Sequence, residues 1–148
     1  MSPSAAPRDP PAGVFLWRFT VPAAAMDQNG HVNNVVYIQW MQEAAIRHSE
    51  ACGGTAAMRA LGCTWVVRSH QIEYLSPAFA NDTIEAATWV VNFRRVRSLR
   101  RYRFSRPADA RLLAEGSTDW VFVDAATGRP RAIPVSVSAC FPVVPDGA

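Results

Sequence analysis

One segment of this chain has the apolar period of a long helix. Between residues 33 and 51, one set of side chains recurs at i, i+3, i+4, i+7, i+8 and i+11, and so lies along one face of an α-helix: Tyr37, Trp40, Met41, Ala44, Ala45 and His48. Asn33 or Asn34 can cap its start, and Gly53-Gly54 ends it. Glu43 and Arg47 are spaced for an exposed ion pair.

The remainder of the chain has the composition of strands. Alternating or β-branched runs predict strands at 14–21, 64–75, 82–93, 97–106 and 112–124, a last short strand at 136–141, and a helical turn at 55–61. Successive strands joined by tight turns are expected to be antiparallel neighbours. A lone helix must bury its apolar face on such a sheet. The sequence therefore predicts an α+β fold, a curved antiparallel sheet wrapped around one long central helix, as a single domain over residues 14–148.

Composition indicates an ordinary globular protein. Apolar residues make up 49% and charged residues 18% of the chain. Residues 1–13 are rich in Pro, Ala and Ser and lack the pattern of a signal peptide, so we expect a disordered leader. The cysteines are odd in number, form no C-x-x-C pair and have no neighbouring base, which disfavours a catalytic thiol: Cys52, Cys63 and Cys140. We expect a cytoplasmic location and mostly buried thiols.

The positive charge is concentrated in one region. The chain has no lysine, and eight of its 15 arginines fall within 18 positions: Arg94, Arg95, Arg97, Arg100, Arg101, Arg103, Arg106 and Arg111. Only Asp109 opposes them within that stretch. Guanidinium groups suit phosphate, so the cluster is either a solvated strand pair or an anion site that fits the phosphates of coenzyme A. No nucleic-acid motif accompanies it, and nucleic acid is not expected as a partner.

Asp27 stands just before the predicted helix start. That start carries partial positive charge and unpaired N–H groups, which can polarise a carbonyl and hold the oxyanion formed when it is attacked. A carboxylate can attack the carbonyl itself or deprotonate an attacking water. Both functions needed for thioester hydrolysis therefore lie within about eight residues, although an Asp in this position is more often a cap or loop residue.

The letters around Asp27 resemble a family signature. The pattern is Asp27, two residues, then Gly30-His31-Val32-Asn33-Asn34-x-x-Tyr37-x-x-Trp40-x-x-Glu43-Ala44. It closely resembles the signature of the 4-hydroxybenzoyl-CoA thioesterase-like family of hot-dog-fold thioesterases. Segments 71–78, 81–82, 119–124 and 127–134 resemble its later strands and tail, so the similarity spans about residues 14–134. One departure is Ala25, where many relatives have a second Asp.

The resemblance implies a homodimer or homotetramer with active sites at the dimer interface, and neither metal nor cofactor, since coenzyme A is part of the substrate. It makes Asp27 the nucleophile or general base and the backbone N–H near Asn34 the carbonyl donor. His31 either orients Asp27 or is a structural loop residue, and Glu43 is the rival carboxylate. The residues predicted to bind substrate are Gly30, Asn33, Tyr37, Trp40, Arg94, Arg95 and Arg97, with Asn33 also a cap and Tyr37 and Trp40 also core residues.

We therefore expect an acyl-CoA thioesterase. The acyl group, aryl or alkyl, and the choice between coenzyme A and an acyl-carrier protein are left open. Asp27-Gln28-Asn29-Gly30-His31 also comes close to the Asp-x-Asn-x-x-His pattern of hot-dog hydratases, with the His one residue early and Gly30 in place of Pro. A non-catalytic acyl-CoA-binding module is a third interpretation.

Overall fold

The computed structural model describes residues 10–146. In chain order its elements are β1 (Phe15–Thr20), a short 3-10 turn (Ala23–Ala25), α1 (Asn34–Ala51), α2 (Gly54–Ala60), β2 (Cys63–Tyr74), β3 (Thr83–Phe93), β4 (Arg97–Arg106), β5 (Arg111–Asp124) and α3 (Val135–Ser138). Most of the predicted leader, residues 1–9, lies outside the described residues. Between residues 10 and 146, no helix is long and apolar enough to cross a membrane.

Helix α1 confirms the predicted apolar face. All six side chains of the periodic set are buried, from Tyr37 at its first turns to His48 near its end. All of them except His48 belong to the core cluster that includes Ile84, Phe104 and Leu113 of the sheet. The Glu43–Arg47 ion pair also forms, with 2.9 Å between Arg47 Nε and Glu43 Oε1.

The five strands form one antiparallel sheet in the order β1-β3-β4-β5-β2. The hairpins β3–β4 and β4–β5 confirm the expectation that successive strands are neighbours. That expectation is wrong for β2 and β3. Both sides of β3 are taken by β1 and β4, so β2 instead pairs with β5 at the far edge of the sheet.

Residues 75–82 form the crossover segment that joins β2 to β3. Near its start, the Leu75 N–H donates to the carbonyl oxygen of Leu113 in β5, at 2.9 Å. At its end, the Asn81 N–H donates to the carbonyl oxygen of Val21 beside β1, at 3.0 Å. The segment therefore crosses the end of the sheet, on the side where α1 begins.

The prediction of a last short strand at 136–141 is wrong. The chain there forms α3, in which the Ala139 N–H donates to the Val135 carbonyl oxygen at 2.8 Å. The alternation of valine and serine imitates a strand, but Pro134 precedes a helical turn that buries Val137 against Cys63 and Phe122. The predicted turn at 55–61 is a helix, α2.

Candidate active site

The backbone around Asp27 folds into a tight loop that is closed on itself. The Asp27 N–H donates to the His31 carbonyl oxygen at 2.7 Å, and the Gly30 N–H donates to the Asp27 carbonyl oxygen at 3.2 Å. Gly30 has φ of +74°, in the left-handed region that side chains rarely adopt. The glycine predicted to border the substrate is thus the residue that lets the loop close.

The Asp27 carboxylate is oriented by the backbone of its own loop. Its Oδ1 accepts hydrogen bonds from the N–H groups of Asn29, at 2.8 Å, and His31, at 3.1 Å. No residue in the described range 10–146 donates to Oδ2. Because Asp27 is only partly buried, this second oxygen is available to a substrate or a water.

Asn33 caps the start of α1. Its Oδ1 accepts from the Val35 N–H at 3.0 Å, as expected of an N-cap residue. Its own N–H donates to the Ala25 carbonyl oxygen at 2.8 Å, which ties the helix start to the segment before Asp27. The Asn34 N–H has no acceptor among the described residues, so an N–H of the first helical turn remains free for a ligand.

Two contacts missed by the sequence reasoning hold this loop in place. The Val32 N–H donates to the Ala78 carbonyl oxygen of the crossover segment at 3.0 Å. The Tyr74 hydroxyl donates to the Asn34 carbonyl oxygen at 2.8 Å. Tyr74 and Ala78 lie within the segment that resembles the family motif, but the resemblance did not indicate what they contact.

The remaining candidates divide between loop and core. His31 is exposed and packs edge-on against Phe79, with ring centroids 5.5 Å apart. Tyr37 and Trp40 are buried and pack against one another, so in this chain they are core residues. Burial also raises the pKa of Tyr37 to about 12. The rival carboxylate, Glu43, is engaged by Arg47.

The arginine cluster is mostly neutralised within the fold. Acidic residues from other parts of the chain pair with Arg97 (Asp119), Arg101 (Asp146), Arg103 (Glu115) and Arg106 (Asp82), and Asp109 pairs with both Arg106 and Arg111. Asp109 is the only acidic residue within that stretch of sequence, but the folded chain brings further carboxylates to the cluster from outside it. Arg94 and Arg95 are exposed in the β3–β4 turn and make no ion pair among residues 10–146.

A cavity lies beside the second half of α1, next to the edge strand β2. Its volume is about 590 Å³, and it is bordered by α1, α2 and the sheet. Arg100 lines this cavity although it is only 5% exposed, and its Nη1 donates to Nδ1 of His48 at 2.8 Å. Sequence reasoning placed Arg100 in the surface cluster and missed this site, because alternation along β4 does not by itself show which face is inward.

Comparison with known proteins identifies the family. The model of the thioesterase-like superfamily matches residues 21–141. The chain belongs to this superfamily. The matched range contains Asp27, the start of α1 and all of the sheet except β1.

Curated relatives and solved structures agree with this assignment. The chain is 29% identical over 131 residues to the acyl-CoA thioester hydrolase YbgC of Escherichia coli, a match that covers 86% of this chain and 96% of the relative. A hypothetical protein from Thermus thermophilus, TT1821, superimposes with a TM-score of 0.77 at 26% identity, over 85% of this chain and 95% of that one.

A 1,4-dihydroxy-2-naphthoyl-CoA thioesterase from Synechocystis superimposes with a TM-score of 0.77 at 19% identity, over 86% of this chain and 95% of that one. These matches, with the long helix α1 on a five-stranded antiparallel sheet, confirm the predicted α+β hot-dog fold.

Proposed function

We propose that this protein is an acyl-CoA thioesterase that uses Asp27 to hydrolyse the thioester. The observation that carries the proposal is the arrangement of that carboxylate. Its Oδ1 accepts hydrogen bonds from two backbone N–H groups, and its Oδ2 has no protein donor within residues 10–146. Asn34, the first residue of the adjoining helix α1, has a free backbone N–H among the described residues. The similarity to an acyl-CoA thioester hydrolase supports the choice of substrate class.

The chemistry follows from these groups. A water on Oδ2 of Asp27 gives its proton to the carboxylate while its oxygen attacks the thioester carbonyl carbon. The oxyanion that forms accepts a hydrogen bond from the Asn34 N–H, assisted by the partial positive charge of the helix start. The carbon–sulfur bond then breaks, and the thiolate leaves with the proton held by Asp27. In the alternative route, Oδ2 attacks the carbonyl carbon directly, the carbon–sulfur bond breaks and the thiolate leaves, and water hydrolyses the resulting mixed anhydride to the free acid and the Asp27 carboxylate.

Hydrolysis in ¹⁸O-labelled water under single-turnover conditions tests the nucleophilic route, because ¹⁸O in Asp27 can arise only from the anhydride. Attack by Asp27 followed by water addition at its own carboxyl carbon would leave ¹⁸O in the protein, whereas general-base catalysis places it only in the released acid. Mass spectrometry of the peptide that contains Asp27 measures this directly.

The substrate's coenzyme A portion has a suitable position at the β3–β4 turn. Arg94 and Arg95 are exposed there without ion pairs among the described residues, and guanidinium groups suit phosphate. Arg97 also lies near this turn but is paired with Asp119, so we assign it a smaller role in binding the phosphates of coenzyme A. A protein of similar fold from Staphylococcus aureus, SAV2348, was solved in complex with CoA, with a TM-score of 0.78.

A second copy of the chain is proposed to complete the site, in a homodimer or homotetramer. β2 is a 12-residue edge strand with no partner on its outer side within residues 10–146, and an open edge of this length is a template for pairing. Light scattering after size exclusion should give two or four times the chain mass of 16.2 kDa. The three cysteines are free, which supports a reducing, cytoplasmic location.

The central test is thiol release from a panel of acyl-CoA and acyl-carrier thioesters. Asp27→Asn should lower kcat by at least about 100-fold, the loss expected for a positioned acid–base or nucleophilic group. Asp146→Asn is a matched control, because it removes an exposed carboxylate from a surface ion pair and should leave kcat unchanged. Failure of the wild-type protein to cleave any thioester above the Asp27→Asn background would overturn the proposal. Conversion of an enoyl-CoA without thiol release would indicate a hydratase, and binding alone would indicate a binding module.

A further inference from the structure

Tyr74 reaches from the end of β2 to the start of α1. It is the last residue of that edge strand, and its hydroxyl donates to the Asn34 carbonyl oxygen at 2.8 Å. Among residues 10–146, no other side chain of the sheet hydrogen-bonds to the first turn of α1. The contact therefore joins the sheet directly to the residue whose backbone N–H is free.

Asn34 is held on both sides through the carbonyl groups that flank it. The Asn33 carbonyl, which shares a peptide plane with the Asn34 N–H, accepts from the Val36 N–H at 3.0 Å. The Asn34 carbonyl accepts from Tyr74. Because helix ends fray, the orientation of these first peptide groups depends on contacts from outside the helix. The Tyr74 hydroxyl supplies such a contact, and it helps to fix the direction of the Asn34 N–H.

The Tyr74 hydroxyl is suited to holding a carbonyl group and not to transferring a proton. Burial raises the pKa of Tyr74 above its ordinary value, so the hydroxyl stays protonated at neutral pH. Its one proton is directed to the Asn34 carbonyl oxygen. The ring is also held, because it packs edge-on against buried Tyr37 with ring centroids 5.5 Å apart. Any effect of Tyr74 on the reaction is therefore expected to pass through Asn34.

We propose that Tyr74 is a positioning residue for thioester hydrolysis, whose hydroxyl directs the Asn34 N–H toward the oxyanion. The inference rests on the proposed function and adds a residue of β2 to the groups that stabilise the transition state. The oxyanion exists only after the carbonyl carbon has been attacked. A misdirected N–H therefore weakens transition-state binding more than substrate binding, and it lowers kcat with little change in KM.

The kinetic test is Tyr74→Phe, which keeps the ring and removes the hydroxyl. In steady-state thiol release, kcat should fall at least about 10-fold while KM stays within about 2-fold. Removal of an oxyanion donor itself costs about 100-fold or more, so a smaller loss is expected for a residue that only orients the donor. The ratio of wild-type to variant kcat should stay constant from about pH 6.5 to 8.5, because the hydroxyl remains protonated.

The matched control is Tyr102→Phe, which should keep the wild-type kcat. It removes a buried hydroxyl that has no hydrogen-bond partner in the described range. Circular dichroism checks that both variants fold, and Tyr74 is 42% exposed, so loss of one oxygen there should be tolerated. Four results for Tyr74→Phe would overturn the proposal: an unchanged kcat, a loss that lies in KM, a kcat ratio that changes with pH, or a variant that no longer folds.

Infrared spectroscopy of a bound thioester tests the same contact without turnover. The probe is benzoyl-CoA or octanoyl-CoA, whichever wild type cleaves faster, labelled with ¹³C at its carbonyl and bound to Asp27→Asn. The hydrogen bond from Asn34 should lower the carbonyl stretching frequency, and Tyr74→Phe in the same background should reduce that shift. Equal shifts in the two proteins would overturn the proposal.

The two assays separate this inference from the function on which it rests. A wild-type protein that cleaves no thioester would refute the proposed function. An active wild type, with a kcat that Asp27→Asn lowers and Tyr74→Phe leaves unchanged, would refute only the positioning role of Tyr74.

Discussion

Acidification should destabilise this protein through His48 well before its carboxylates are protonated. His48 is 6% exposed, and its pKa is lowered from 6.5 to about 4 by burial and by the adjacent Arg100. The unfolded chain therefore binds a proton at this residue below about pH 6.5, whereas the folded protein does so only below about pH 4. The contribution is fully present above pH 6.5 and is lost as the pH falls toward 4.

The magnitude follows from the separation between the two pKa values. One pKa unit corresponds to about 1.4 kcal/mol, so the full loss for His48 is about 3 kcal/mol. At pH 5 the proton linkage gives a loss of about 2 kcal/mol. This is a large part of the about 5–15 kcal/mol by which domains are ordinarily stable.

Urea denaturation at pH 7.5, 6.5, 5.5 and 5.0 measures this loss, and His48→Gln is the variant to compare. Glutamine does not titrate, and its carbonyl oxygen can accept from Arg100, so the variant should lose less stability than wild type over this range by about 2 kcal/mol. His70, whose pKa is also lowered by burial, acts in the same direction but is present in both proteins. Parallel stability curves for wild type and His48→Gln would refute the reasoning.

Three further outcomes are expected. Asn33→Ala removes the cap on the Val35 N–H and should lower the free energy of unfolding by about 1 kcal/mol in urea, whereas Asn33→Asp should stay close to wild type. Gly54→Ala would place a Cβ 2.4 Å from the Phe141 ring, so a loss of about 1–3 kcal/mol is expected, and unchanged stability would mean that the ring moves freely. The double variant Arg94→Gln with Arg95→Gln should raise KM for acyl-CoA in steady-state assays without lowering kcat. The increase in KM should be smaller at high salt, which screens exposed charges. A KM that responds neither to the substitutions nor to salt would mean that the β3–β4 turn does not bind the substrate.

Local features of the fold could be predicted because each depends on neighbouring residues. The apolar period fixed the inner face of α1 down to His48, and Asn33 was correctly expected as a cap. The spacing of Glu43 and Arg47 predicted an ion pair that forms. Helix periodicity, capping and i,i+4 pairing all act within one turn or two, so the sequence alone determines them.

Features that depend on strand register could not be predicted in the same way. The partner of Arg97 is Asp119, which β5 brings alongside β4, and nothing near Arg97 in the sequence indicates it. The pairing of β2 with β5 depends on which sheet edge is free once β3 has two neighbours. The inward orientation of Arg100 also follows from register, and local alternation leaves both faces possible.

The crossover segment gives the loop that carries Asp27 an unusual mechanical connection. Ala78 anchors that loop through Val32, while the segment itself is tied to Leu113 at one end and Val21 at the other. The loop therefore cannot open alone without straining anchors at opposite sides of the sheet. Its opening should be part of a larger cooperative unit, and the Val32 amide should exchange with solvent as slowly as amides inside the strands.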